Sequence, residues 1–311
     1  MNEESNQKID RKLSFPKISY PENNPETHIP NILKSLHIKS DHVFLKFQPD
    51  AHALSVEEQL FFINITEGVF GYNEQIRNET LKLLTSDYNV RYLAPNITEF
   101  IKQSIHLNLV FVDLTLLIYA VRMTKNMIAN PHVEVGLYLH TLIPAVLSCA
   151  LAKRISKYYY DNHWTLRDFS AYVIATICHK HGNEINRIKE RVINIYLKPM
   201  VDTSMSLTTL YGAIKGLASL GEDTIKSCII PNLYGLGKRI YKILENRSNK
   251  LEDKQQILEA KHVRDLVVNI ASPVLFKTEN LLDDGNEYIQ KFGYFGYLIF
   301  MHIKKIEKLE S

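Results

Sequence analysis

The sequence predicts an all-α chain wound as a solenoid of paired helices. Three observations carry that prediction: helix breakers are scarce outside one end, strand-like alternation is nearly absent, and an apolar helical pattern recurs 43 residues further on. Glycine and proline (12 and 11 of 311 residues) make up about 7% of the chain, where roughly 12% is usual. Five of the eleven prolines, Pro16, Pro21, Pro25, Pro30 and Pro49, fall in the first fifty residues, which hold no glycine. That division predicts a flexible tail or linker over 1–50 and a repeat domain over 51–311. Within the tail, the apolar patch His42 to Phe47 reads as a short strand or an extended segment over the body.

Regular punctuation begins after residue 50. Ser55-Val-Glu-Glu58 has capping-box spacing, in which the serine oxygen accepts a free helix N–H and Glu58 reaches back. It opens a first helix that ends near Gly68 to Gly71. A second is expected over about 73–86, with Ile76, Thr80, Leu83 and Leu84 on one face. Further helices are expected at about 91–107, 109–129, 133–157, 163–181, 184–198, 206–220, 223–247, 254–271 and 284–308. Asp283-Asp284, just before Gly285, reads as the start of the last of these rather than as an acid/base couple.

Consecutive helix pairs invite a search for repeats. Setting Leu166 to Cys178 against Thr209 to Gly221 places Ala171 opposite Ile214, Ile174 opposite Leu217 and Ile177 opposite Leu220. Pro144 and Pro231, each after two aliphatic residues, lie 87 apart, close to twice that offset. Pro199 does not fit the spacing. A period of about 40–47 with two helices per unit belongs to HEAT and armadillo arrays.

Chemistry finds little foothold. No nucleotide loop, nucleophile elbow or zinc-protease motif is present. Cys178-His179-Lys180-His181 lacks a second ligand pair, and His and Lys before Gly182 suit the negative end of a helix. The three cysteines, Cys149, Cys178 and Cys228, are widely spaced and odd in number, which favours a reducing compartment over a disulfide framework. No metal or cofactor is expected. The opening Met-Asn-Glu-Glu-Ser has neither the basic start nor the apolar core of a secretory leader. The most apolar stretches, Leu137 to Ala152 and Ile105 to Val121, are too short and too interrupted to span a membrane. Net charge is +3, too balanced to announce a nucleic-acid partner. Lys238, Arg239, Lys242, Arg247 and Lys250, with a second set at Arg187, Lys189, Arg191 and Lys198, form either a weak phosphate-binding stripe or a solvated outer face.

The least ordinary segment is Asp161-Asn162-His163-Trp164-Thr-Leu-Arg167-Asp168, which holds the only tryptophan at a helix entry. Trp164 either plugs the groove between repeats, with Arg167 and Asp168 paired across turns, or anchors a partner together with them. Arg264-Asp265 reads as a distant echo of the pair.

Asp161 to Phe169 resembles the signature of the TBP-associated factor 6 family, the histone-fold and HEAT-repeat subunits of the general transcription factor TFIID. Four further segments match the family in order: Ala53 to Phe62, Leu116 to Met123, Leu142 to Val146 and Leu210 to Gly221. The resemblance runs from about residue 43 to 300. It implies about five HEAT repeats and a nuclear scaffold without catalytic residues. It also implies contacts with other TBP-associated factors, in TFIID or in a SAGA-type acetyltransferase coactivator, and self-association through the repeats. Nothing before residue 50 matches the family's histone fold, so a histone-fold partner is not expected. At Leu210 the family usually carries arginine. The expected protein-binding surface is the exposed edge Asp161, Asn162, His163, Trp164, Arg167 and Asp168 with a loop near Tyr211 and Lys215.

Overall fold

A computed structural model describes residues 54–158, 160–245, 251–278 and 285–310. The tail expectation, the His42 to Phe47 patch, Asp283-Asp284, Arg247 and Lys250 lie outside these residues. Twelve helices are described: α1 (Val56–Phe70), α2 (Glu74–Ser86), α3 (Val90–Phe111), α4 (Leu114–Ala129), α5 (Leu139–Leu151) and α6 (Trp164–His181), then α7 (Ile188–Val201), α8 (Leu207–Ser219), α9 (Leu233–Leu244), α10 (Leu251–Thr278), α11 (Gly285–Phe292) and α12 (Tyr294–Glu310). Short 3₁₀ and π turns precede α5 and α9, and no strand occurs among the described residues.

Side-chain caps set four of the starts. The Ser55–Glu58 box closes in both directions, at 3.2 and 2.9 Å. Asn73, Asp113 and Ser206 each accept a first-turn N–H at α2, α4 and α8, satisfying donors that a helix start leaves orphaned. Several boundaries differ from the sequence expectation, and in three places the expected helix itself is broken. The helix expected over 133–157 is regular only over 139–151, and the described residues of 152–163 form an irregular connection. The helix expected over 223–247 begins as an α turn, a π turn and a 3₁₀ turn carrying Pro231 before α9 proper. The last expected helix breaks at Gly293, whose φ of 60° ends α11 and starts α12. Prolines 95, 144, 199 and 273 lie inside α3, α5, α7 and α10.

The helices pair as α1·α2, α3·α4, α5·α6, α7·α8, α9·α10 and α11·α12. Second members stack in an unbroken row, α2–α4–α6–α8–α10–α12. First members stack less regularly: α1 meets α3 and α3 meets α5, but α8 itself occupies the place against α5, and α7 packs on α8 and α6. Among the described residues, apolar side chains form one continuous core from Ile65 to Ile303, in which each repeat buries its neighbour's open face. Such an array is an α-solenoid of HEAT-type hairpins. No described helix is long and apolar enough to cross a membrane.

Candidate functional site

The Asp161–Lys215 cluster sits where the third pair meets the fourth. Helix α5 stops at Leu151, and the carbonyls of Ala150 and Ala152 lose their intrahelical partners there. The Arg167 guanidinium, from the first turns of α6, supplies both: Nη1 donates to Ala150 O and Nη2 to Ala152 O, each at 2.8 Å. A cation at this point also meets the negative end of the α5 dipole. Arg167 is fully buried. Burial pulls its pKa down to about 10, opposed by the Glu259 carboxylate on α10, so it stays charged at neutral pH. Burial in turn raises the Glu259 pKa.

His163 precedes α6 and accepts a hydrogen bond from Arg167 Nε at its Nδ1, 3.3 Å away. Burial, then the charges of Arg167 and His262, pushes its pKa down to about 4, which keeps the ring neutral and able to accept. Its ring lies 4.2 Å from that of Trp164, centroid to centroid. On its other sides Trp164 meets Tyr211 of α8 at 4.5 Å and His262 of α10 at 4.6 Å. The tryptophan therefore plugs the junction of three successive second helices.

Tyr211 and Gly212 fix α8 onto this plug. The Tyr211 hydroxyl donates to Asp168 Oδ1 at 3.1 Å, and the Lys215 ammonium lies 3.5 Å from Asp168 Oδ2. Burial and the Asp168 charge both raise the Tyr211 pKa. At Gly212 a Cβ would stand 2.0 Å from Ala150 O, so only glycine lets α8 lie across the end of α5. Thr208 adds a bond to Lys153 O at 2.7 Å. Leu210, where the family's arginine would fall, is fully buried in apolar packing.

These contacts correct the expected surface at two places. Arg167 does not pair with Asp168 and is not exposed; it caps α5 from inside. Tyr211 and Lys215 lie within helix α8, not in a loop, and Tyr211 is buried. Arg264, by contrast, does bond its neighbour Asp265, at 2.7 Å, so the echo in sequence is not an echo in structure. Of the expected residues, Asn162 is exposed, while Asp161, His163, Trp164, Asp168 and Lys215 are half-buried. Asp161 accepts from the Ser156 hydroxyl, which ties down the irregular connection. Sequence reasoning missed the most exposed aromatics of the region: Tyr158 and Tyr160, 56% and 69% exposed, stack 5.2 Å apart with planes 10° from parallel. A run of three consecutive tyrosines over 158–160 was the available signal.

The other sequence candidates separate as clearly. Cys178 to His181 is the end of α6, whose last turn carries His179, Lys180 and His181 ahead of Gly182. Arg239 of the supposed basic stripe donates to the Met205 carbonyl and is half-buried, and Arg187 lies 3.8 Å from Glu190. Both are turned to packing or to a local carboxylate.

Comparison with known proteins agrees with this architecture. Residues 50–234 match the family model of the TAF6 C-terminal HEAT repeat domain. "Transcription initiation factor TFIID subunit 6" of Drosophila melanogaster is 34% identical over 275 residues, which are 88% of this chain and 44% of that protein. The Schizosaccharomyces pombe "SAGA complex/transcription factor TFIID complex subunit Taf6" is 31% identical over 216 residues, 69% of this chain and 46% of that one. The chain thus spans less than half the length of either relative. The solved TAF6 C-terminal domain from Antonospora locustae superposes with a TM-score of 0.52 at 20% identity, covering 70% of this chain and 99% of that one, and shows the same fold. With its helix pairs, its matched core and its ordered motifs, the chain belongs to the TAF6 C-terminal HEAT repeat domain family.

Proposed function

We propose that this chain is a non-catalytic scaffold subunit of the general transcription factor TFIID, acting in the nucleus in assembly of the RNA polymerase II preinitiation complex. The observation that carries the reading is the family match across the first four helix pairs, which includes the Trp164 junction. The junction's charged groups hold helices together: Arg167 caps α5 and Asp168 joins α6 to α8. Such a cluster suits a rigid platform rather than turnover. Partners are other TBP-associated factors, held through exposed surface beside the junction, at Asn162 and the Tyr158–Tyr160 stack.

A SAGA-type assembly is the second reading, favoured by the double name of the Schizosaccharomyces pombe relative. Affinity purification of the tagged chain from nuclear extract, followed by mass spectrometry, distinguishes the two. Recovery of TBP with other TBP-associated factors supports TFIID. Recovery of an acetyltransferase module without TBP moves the chain to the second complex, and recovery of neither overturns both.

A further inference from the structure

The row of second helices carries an open groove of about 990 Å³ across α2, α4 and α6. Its apolar floor is Leu81, Ile118, Leu166 and Phe169. Lys82, Arg122 and Lys125 line it, and no carboxylate does. The nearby Glu74 is shared between Arg77 and Arg122. Asn78 accepts from Arg122, and Thr85 donates to Asn126, so these neutral polar groups serve one another. Lys82 and Lys125 are both exposed, and neither has a carboxylate partner among the described residues. The Lys125 ammonium lies over the Phe169 and Tyr172 rings, 5.9 Å from each.

From this geometry we infer that the groove is a docking site for an acidic amphipathic helix of a partner protein. The floor asks for leucine-like or aromatic side chains, and the two lysines, which lack carboxylate partners among the described residues, ask for carboxylates one helix spacing apart. Three adjacent helices at spacings of 8–10 Å extend about 20 Å, the length of about 13 helical residues. Nucleic acid fits less well. Three cations neutralise few phosphates, and a mainly aliphatic floor gives bases little to stack on. The inference stands whichever complex the chain joins.

Fluorescence anisotropy on the full chain tests it with three labelled probes. The first is a 16-residue peptide with Leu and Phe on one helical face and Asp and Glu on the other. The second is its Lys/Arg counterpart, and the third a 15-nucleotide single-stranded DNA. The acidic peptide is expected to bind, more weakly as salt rises. Lys82→Glu with Lys125→Glu should lower that affinity about tenfold or more, a change of about 1.4 kcal/mol. Lys238→Glu with Lys242→Glu, on α9, should leave it unchanged. Circular dichroism confirms folding, and Lys82→Gln with Lys125→Gln gives a milder second variant. Equal or tighter binding of the basic peptide or the DNA overturns the inference. So does acidic-peptide binding that survives both groove variants, or no binding at all.

Discussion

Tyr211 and Asp168 join two repeats through one hydrogen bond, hydroxyl to carboxylate at 3.1 Å, with Lys215 on the carboxylate's second oxygen. The bond bridges α6 and α8 beside the Trp164 plug, whose ring lies 4.5 Å from that of Tyr211. Tyr211→Phe is expected to cost about 1 kcal/mol, and Asp168→Asn a similar amount. A double-mutant cycle on urea midpoints should show coupling of about 0.5–1.5 kcal/mol. Strict additivity would mean that the contact contributes nothing.

Arg167 is the most demanding residue of the junction. Arg167→Ala orphans two buried carbonyls and removes one of the two cations, with Lys153, that act on Glu259. The expected loss is about 3–5 kcal/mol. Arg167→Lys should recover little of it, because one ammonium cannot make two diverging bonds in the geometry of a planar fork. Thermal or chemical unfolding measures both, and near wild-type stability of the alanine variant would contradict the capping role.

The histidine beside it gives the fold a pH dependence of known sign. His163 titrates near 4 when folded and near 6.5 when unfolded. Between those values the unfolded chain takes up a proton that the folded chain refuses. Stability is therefore full above about pH 6.5, falls as pH drops through the window, and stops changing on this account below about 4. The size expected is about 2 kcal/mol after allowance for the ring's partial exposure. His163→Gln should flatten this component of the curve, and an unchanged curve would assign the dependence to other groups.

Two glycines separate close approach from mere permissiveness. Gly212→Ala drives a methyl into the Ala150 carbonyl and should destabilise by about 2 kcal/mol or more. Gly235→Ala in α9 meets nothing within 4 Å and should stabilise by about 0.5–1 kcal/mol. A melting temperature of Gly212→Ala that does not fall would show that the close approach there is not real.

At the surface, Tyr158→Ser with Tyr160→Ser should leave the melting temperature within a degree or two, since both rings are mostly exposed. Co-purification of partners should fall. Undiminished recovery would remove this stack from the interface.

Local signals reached the page directly from the chain. The Ser55–Glu58 box needs only four residues, and it forms as written. The 43-residue offset was legible because equivalent faces of stacked helices are buried alike, and Asp168 and Tyr211, so aligned, do touch. Non-local partners were not legible. Nothing in Ala152-Lys-Arg-Ile-Ser discourages helix, and α5 ends where Arg167 and Thr208 take carbonyls near its end. The pairing of Arg167 with Asp168 fails because groups on other helices take each side chain, whereas Arg264 and Asp265, equally adjacent, do bond. Asp168 consequently meets α8, while Arg167 turns to α5.

The position of α7 has a mechanical consequence. Because α8 fills the place against α5, one side of the solenoid is held across this junction and the other is not. Tyr196, wholly buried against Gly216, fastens α7 to its own hairpin rather than to the preceding one. Load applied along the array should therefore pass from the third hairpin to the fourth through the Trp164 side, and α7 should carry little of it.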